Sequence, residues 1–406
     1  MKKLYSTFLI ILISYTGFSQ TSEIRKGDRF FSQKAYIDAA DTYAQVKDKN
    51  QKVLQNLGDS YFFTNQMADA ANTYETLFLK YAPEVENPEY KFRYANALMA
   101  TGDTEKADKY FSDYYGKDVN FDEFRKKLDT TVSHVFQTQQ VINNAAASDF
   151  GVSYYGDNKI VFASTRNQER PIYPWDKKPT LDLYTATVSS DKKLSDIVLF
   201  PGEINTDSHE SSATFSKDGN TMYFDRTNDK RVKIDDQKVA TIRIYRAQKV
   251  DGNWTNIEAL PFTSDQYSTE HPSLSADGKK LYFASDMPGS QGSFDIYVVD
   301  VNEDGTYGTP QNLGSAVNTA HREQFPFISE DGTLYFSSDG HQGYGNLDVY
   351  KTEGDFSEVK NLGATVNSAY DDFGFVIKPG ENTGWLASNI RGTDNLYNFT
   401  RKEYEP

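Results

Sequence analysis

Between residue 151 and the end of the chain, a pair of short alternating runs meets five times around an Asp-Gly-type turn. The copies are ATFSKDGNTMYFDR (213–226), PSLSADGKKLYFASD (272–286), PFISEDGTLYFSSD (326–339), a looser GVSYYGDNKIVFASTR (151–166), and GFVIKPGENTGWLASNIR (374–391) with one extra turn residue. Alternation on both sides of such a turn marks a β-hairpin. A third run follows each pair (LDLYTA, IRIYRA, FDIYVV, LDVYKT, NLYNFT), and its tyrosine recurs at 184, 245, 297, 350 and 397. A fourth run follows, as in PQNLGSAVNTA and EVKNLGATVNSA. Four-stranded units repeated at this spacing predict a β-propeller over 131–406. The fifth unit lacks its own fourth run, but HVFQTQQVINNAAASDF (134–150) enters the first unit as EVKNLGATVNSAYDDF (358–373) enters the fifth. A strand at 134–141 is therefore expected to complete the last blade and close the ring, which removes exposed sheet edges. Five blades are expected. Six is the alternative, because the longer spacing around the second unit has room for a degenerate strand pair.

Residues 20–130 carry helical spacing instead, so the fold class is multidomain α + β. GDRFFSQKAYIDAADTY, from Gly27, aligns with GDSYFFTNQMADAANTY, from Gly58, and ANALMATGDTEKADKYF supplies a third copy. In each copy a small residue (Gly27, Gly58, Ala95) precedes an alanine (Ala39, Ala70, Ala107) by twelve positions. An aromatic (Tyr43, Tyr74, Phe111) follows four later. This spacing predicts antiparallel helix pairs in which small residues let the backbones approach and the aromatic fills the gap. FDEFRKKL (121–128) is expected to cap the stack.

The first nineteen residues read as a secretory signal peptide: Lys2 and Lys3, an apolar run from Phe8 to Ile13, then Gly17-Phe18-Ser19 before Gln20. Cleavage is expected after Ser19 or Gln20, and no later window is apolar enough to span a bilayer. The chain has no cysteine, which excludes disulfides, thiolate metal sites, cysteine nucleophiles and a lipid-modified N-terminal cysteine. Acidic residues outnumber basic ones by 58 to 43, a net charge of −15 that opposes binding to nucleic acid.

The helical copies resemble the tetratricopeptide repeat, a family that binds peptides or proteins along a concave face. The strand units are similar to the WD40-like (PD40) propeller repeats of the TolB type, whose signs are a G-x-x-[IVL]-[YV]-F-x-S run followed by D-[IVL]-Y. Here these read as Gly278 to Ser285 followed by Asp295-Ile296-Tyr297. The order signal peptide, helical repeats, propeller resembles the N-terminal part of the OmpA-like envelope proteins of Bacteroidetes, PorE-like members of the type IX secretion and gliding machinery among them. The resemblance implies a non-enzymatic scaffold in the periplasm, associated with the outer membrane, whose partner is a PorP/SprF-like barrel. The lipoprotein anchor of the PorE-type members is absent. Peptidoglycan binding is expected only from a C-terminal OmpA-like domain outside these 406 residues.

At the channel mouth each repeat offers a carboxylate before or at its innermost strand: Asp149, Glu210, Glu270, Glu323 and Asp372. With Tyr173, Trp175 and Tyr344 from the adjoining loops, they would form an acidic, aromatic-rimmed funnel suited to a basic peptide or a cation. The alternative is that they are turn residues, solvated or bonded to backbone amides. Asp182, Asp295 and Asp348 recur from blade to blade, so they are expected to bond turn amides rather than to catalyse. Asp300 to Gly305 matches the opening of a calcium loop, but Gln311 stands where the bidentate glutamate belongs. It reads as a turn, and calcium is the one cofactor left open. His134, His209, His271, His321 and His341 fall at unrelated repeat positions, and no nucleophile elbow or phosphate loop is present. The alternatives to a scaffold are a five-bladed glycoside hydrolase using Asp149, Glu270 and Asp372, and a calcium- or glycan-binding module.

Overall fold

The computed structural model describes residues 21–141, 146–234 and 237–404. The expected signal peptide lies outside the described residues. Two compact units emerge: one holds the chain up to Phe121 together with Tyr173–Lys178, and the other holds Asp122–Ile172 and the chain from Pro179 onward.

In the first unit, helix α1 (21–32) precedes α2 (Tyr36–Ala44), α3 (Gln51–Phe63), α4 (Met67–Tyr81), α5 (Glu89–Thr101) and α6 (Thr104–Tyr115). The glycine-to-tyrosine spacing has a direct physical cause. A Cβ added to Gly27 would stand 2.5 Å from the Tyr43 ring, and one added to Gly58 would stand 2.5 Å from the Tyr74 ring. Each tyrosine therefore lies flat against bare backbone. Its hydroxyl donates to the aspartate after that glycine, Tyr43 to Asp28 and Tyr74 to Asp59, both at 2.7 Å. Burial pushes the Asp59 carboxyl up, opposed by the Arg93 guanidinium at 2.8 Å and by Tyr74. The third copy departs from this pattern. Ala95 already carries a Cβ, Asn96 replaces the aspartate and Phe111 has no hydroxyl, so Phe111 is only half-buried and meets Phe92 at 6.0 Å. Tyr110 packs on Tyr94 instead, at 4.6 Å. The expected turn of this copy is present: Gly102 ends α5 at φ +86° and Asp103 caps the Lys106 amide at 3.2 Å.

The units divide after Phe121 rather than at the expected 130/131. The reason is helix α7 (Phe121–Asp129), whose Phe124 ring stands 5.9 Å from Tyr344 while Arg125 lies over the same ring. It packs with the propeller unit.

That unit is a five-bladed propeller of four-stranded antiparallel sheets. The innermost strands are Asp149–Tyr154, Glu210–Phe215, Thr269–Leu274, Glu323–Ile328 and Asp372–Ile377. Outward from these, the first blade adds Lys159–Ser164, Asp182–Val188 and Leu194–Leu199, and the others follow the same order. The last blade takes its outer strand from the start of the unit: His134–Gln140 pairs with Asn395–Glu403, from His134 opposite Glu403 to Gln140 opposite Tyr397. The ring closes as expected. The additional length in the second unit forms a two-stranded hairpin, Val232–Ile234 with Gln237–Val239, between its second and third strands, so there is no sixth blade among the described residues. Stacked rings from second and third strands fill the blade interiors, as in Phe224–Tyr245, Phe283–Tyr297 and Phe336–Tyr350. Among the described residues no helix is long and apolar enough to cross a membrane.

The close approach at Gly58 makes a specific demand. Gly58→Ala is expected to destabilise the helical unit by about 1–3 kcal/mol through overpacking against Tyr74. Denaturant unfolding measures it, and an unchanged midpoint would contradict the packing described.

Candidate functional site

Strand register decides which mouth residues are equivalent. The innermost strands begin with Asp149, Glu210, Thr269, Glu323 and Asp372, opposite Ser164, Arg226, Ser285, Ser338 and Ser388. Four of the five candidate carboxylates share this position. Glu270 sits one residue further along, in step with Phe150, Gln324 and Phe373. The frame taken from the sequence grouped Glu270 with Asp149 and Asp372. Thr269 occupies the carboxylate position instead, and its hydroxyl accepts from the Ile244 amide at 3.2 Å.

All five carboxylates are buried. Glu210 accepts from the amide and hydroxyl of Thr206 and from Arg226 at 2.7–2.9 Å. Glu323 accepts from the amide and hydroxyl of Thr319 and from the Ser338 hydroxyl at 2.7–2.8 Å. Asp372 accepts from the Ser368 amide at 2.5 Å. Both oxygens of Asp149 are held by Arg166 at 2.9 Å. Burial pushes Glu210, Glu323 and Asp372 up to about 7, with these donors opposing it. An open acidic funnel is not what these side chains build. A buried carboxylate needs donors, and for Glu210, Glu323 and Asp372 the turn just before the strand supplies them.

The asparagine one residue before each of those turn hydroxyls completes the arrangement. Asn205 accepts from the Leu183 amide at 2.7 Å and donates to the Leu183 carbonyl at 3.0 Å. Asn318 does the same to Ile296, and Asn367 to Val349, at the same distances. Each asparagine thus ties the linker into the next blade to the third strand of the blade before it. These residues were visible in the sequence as Ile204-Asn205-Thr206, Val317-Asn318-Thr319 and Val366-Asn367-Ser368.

The channel itself is filled asymmetrically. Gly151 and Gly374 take left-handed conformations at a bulge in their innermost strands, and the third and fourth blades put His271 (φ +54°) and Phe325 (φ +52°) at the same place. Left-handed backbone is costly for side chains this large. The two rings stack at 3.6 Å, and Phe325 packs on Phe150 and Phe373. Beside this plug a cavity of about 70 Å³ is lined by Ser212, Ser273 and Phe375 among others. Glu270, 4% exposed, accepts from Gln324 at 2.5 Å and lies 3.7 Å from His271 Nδ1. Burial first, and the nearby Asp225 second, push its carboxyl up to about 8, while burial lowers His271 to about 4. Sequence reasoning missed Asp225. It is 1% exposed and accepts from Ser211 twice, from the Ser212 amide and from the His271 amide at 2.5–3.1 Å. Its one signal was a carboxylate where Ala163, Ala284 and Ala387 stand in other blades.

The aromatic candidates lie elsewhere. Tyr173 and Trp175 belong to the helical unit, where the Trp175 indole donates to the Phe63 carbonyl at 3.0 Å and meets Tyr36 edge-on at 4.7 Å. Tyr344 is buried against Phe124. Of the recurring aspartates, Asp295 accepts from the Gln291 and Gly292 amides at 2.7 and 3.0 Å, and Asp348 accepts from the Tyr344 amide. Asp182 departs from the expectation, because Asn167 and Arg170 side chains reach it at 2.8 Å. Asp300 to Gly305 forms a tight turn closed by the Asn302 amide on the Thr306 carbonyl and the Gly305 amide on the Asn302 carbonyl. Among the described residues no three acidic or histidine side chains stand close enough to hold a metal.

No family model matches the chain, and no curated protein matches it. Solved structures do resemble it. TolB from Acinetobacter baumannii is 14% identical over 77% of this chain and 71% of its own, with a TM-score of 0.37. Zg3597, a family 117 glycoside hydrolase produced by the marine bacterium Zobellia galactanivorans, is 12% identical over 66% of this chain and 91% of its own, at 0.41. The α-L-arabinofuranosidase from Lactobacillus brevis is 12% identical over 65% and 93%, at 0.43. Likenesses of this level carry no functional information.

The buried Glu270 proton has a measurable consequence. A folded-state value near 8 against the ordinary 4.5 means the fold holds the proton more tightly than the unfolded chain does. That stabilisation is complete below the ordinary range and is lost as pH rises toward about 8. Glu270→Gln is isosteric and cannot ionise, so it is expected to gain roughly 3–4 kcal/mol over the native protein between pH 5 and pH 8.5. Chemical unfolding at both pH values checks it; an equal difference at both would contradict the buried proton.

Proposed function

We propose that the protein is a non-enzymatic scaffold of the cell envelope, exported to the periplasm and held at the outer membrane through a PorP/SprF-like barrel of the type IX secretion or gliding machinery. The observation that supports this reading over a hydrolytic one is the filled channel. A glycosidase needs two carboxylates about 5–10 Å apart and open to substrate, one as acid and one as nucleophile or base. Here the channel pair, Glu270 and Asp225, is buried at 4% and 1% exposure, beside a stacked His271–Phe325 plug. The repeated carboxylates are occupied within their own blades, so recognition falls to outer surfaces. The helix pairs, read as tetratricopeptide repeats, supply one such surface and the propeller faces the other.

The test is affinity purification of the tagged protein from its native envelope after mild crosslinking, followed by mass spectrometry. A stoichiometric outer-membrane barrel or secretion component is expected, and N-terminal sequencing should begin just after Ser19 or Gln20. Recovery of the protein alone and monodisperse would overturn the scaffold reading. Glycan hydrolysis that disappears in Glu270→Gln would replace it with an enzymatic one.

A further inference from the structure

A cavity of about 310 Å³ lies at the seam where the first blade meets the last. It falls within the range of small-molecule sites, whereas the channel cavity has room for only a few waters. Hairpin turns of the two blades build it. Tyr154 and Trp385 form an aromatic wall, and Lys159, Lys192 and Lys378 against Asp157 and Glu381 leave the lining one positive charge in excess.

Two features mark this as a built site rather than a gap between blades. The first is backbone strain. Lys192 sits in a left-handed conformation, φ +60°, in a turn where its amide donates to the Ser189 carbonyl and the Ser189 amide donates to the Lys193 carbonyl. The third blade has the same bonded turn, and there the equivalent residue is Gly305 at φ +82°. A lysine has been kept where glycine is free of cost and lysine is not. The second feature is charge balance. The Lys192 ammonium donates to the Phe399 carbonyl at 3.0 Å and the Thr400 hydroxyl at 2.7 Å, both uncharged acceptors. Glu381, the acidic group that acts on it, is engaged by Lys378 at 2.6 Å. Burial lowers the Lys192 amine, the state that an incoming anion relieves. Exposed Lys159 adds a second positive charge at the rim.

We propose that this inter-blade cavity binds a small organic anion, with its carboxylate between Lys192 and Lys159 and an apolar or ring-shaped body against Trp385 and Tyr154. The site is independent of the partner-binding reading above. Its orientation follows from the chemistry: ammonium groups at the rim take the charged head, and the aromatic wall takes the body.

The test is calorimetric titration of the full chain with hippurate, a benzoylated glycine carrying both features, against hippuramide, its neutral counterpart. Hippurate is expected to bind one site, and hippuramide about tenfold more weakly or not at all, the worth of one charge-assisted contact. Lys159→Gln, at an exposed position, is expected to weaken hippurate severalfold. Lys192→Gly is expected to weaken it about tenfold while relieving the strained turn. Absence of hippurate binding, equal binding of hippuramide, or native affinity in Lys159→Gln would each overturn the proposal. Lys159→Gln decides the matter alone if Lys192→Gly does not fold.

Discussion

The propeller depends on one repeated polar tie: an asparagine that accepts from and donates to the backbone of a buried third-strand residue, followed by a hydroxyl and a carboxylate that bond each other. Five sheets converging on an axis bury strand starts and blade linkers away from the surface. Backbone groups buried there without partners are costly. Asn205, Asn318 and Asn367 satisfy both groups of one residue at once, at Leu183, Ile296 and Val349. Glu210, Glu323 and Asp372 then secure the turn that delivers each asparagine.

This tie accounts for why the same residues looked like a site. Carboxylates recurring at one mouth of a ring are what an acidic binding funnel would present, and also what a repeated buried turn requires. Their partners separate the two cases. Where the pattern breaks, the chemistry changes: Thr269 replaces the carboxylate in the third blade, Glu270 falls one place inward, and Asp225 gathers donors from two blades. The His271 and Phe325 side chains, in backbone conformations that suit glycine, fill the space that Gly151 and Gly374 leave open on the other side.

Much of the fold was legible because it rests on local chemistry repeated in phase. The Asp-Gly turns announce hairpins, and the likeness between the segments before the first and fifth units gives away the closing strand. Gly27 and Gly58 with Tyr43 and Tyr74 fix the helix pairs through a contact that no larger residue permits. What was not legible depends on position across space. A one-residue offset moved Glu270 out of its class, because Thr269 fills the carboxylate position with a hydroxyl that caps the Ile244 amide, the third-strand group that an asparagine serves in the first, third and fourth blades. Trp175 reads in sequence as a propeller-loop aromatic, yet its contacts with Tyr36 and Phe63 place it among the helices. Tyr344 likewise reads as rim until Phe124 is found against it. The strain at Lys192 has no sequence signature except by comparison with Gly305, once the two turns are known to be bonded alike.

The most direct test of this account is the unfolding free energy of Asn318→Ala. The substitution leaves the amide of Ile296, a fully buried residue, without its partner, while the Ile296 carbonyl keeps the Leu313 amide at 3.1 Å. One orphaned buried backbone amide is expected to cost roughly 1–3 kcal/mol. A loss of that size, with the propeller still folding to the same sheet content, is the predicted result. A midpoint indistinguishable from the native protein would contradict it.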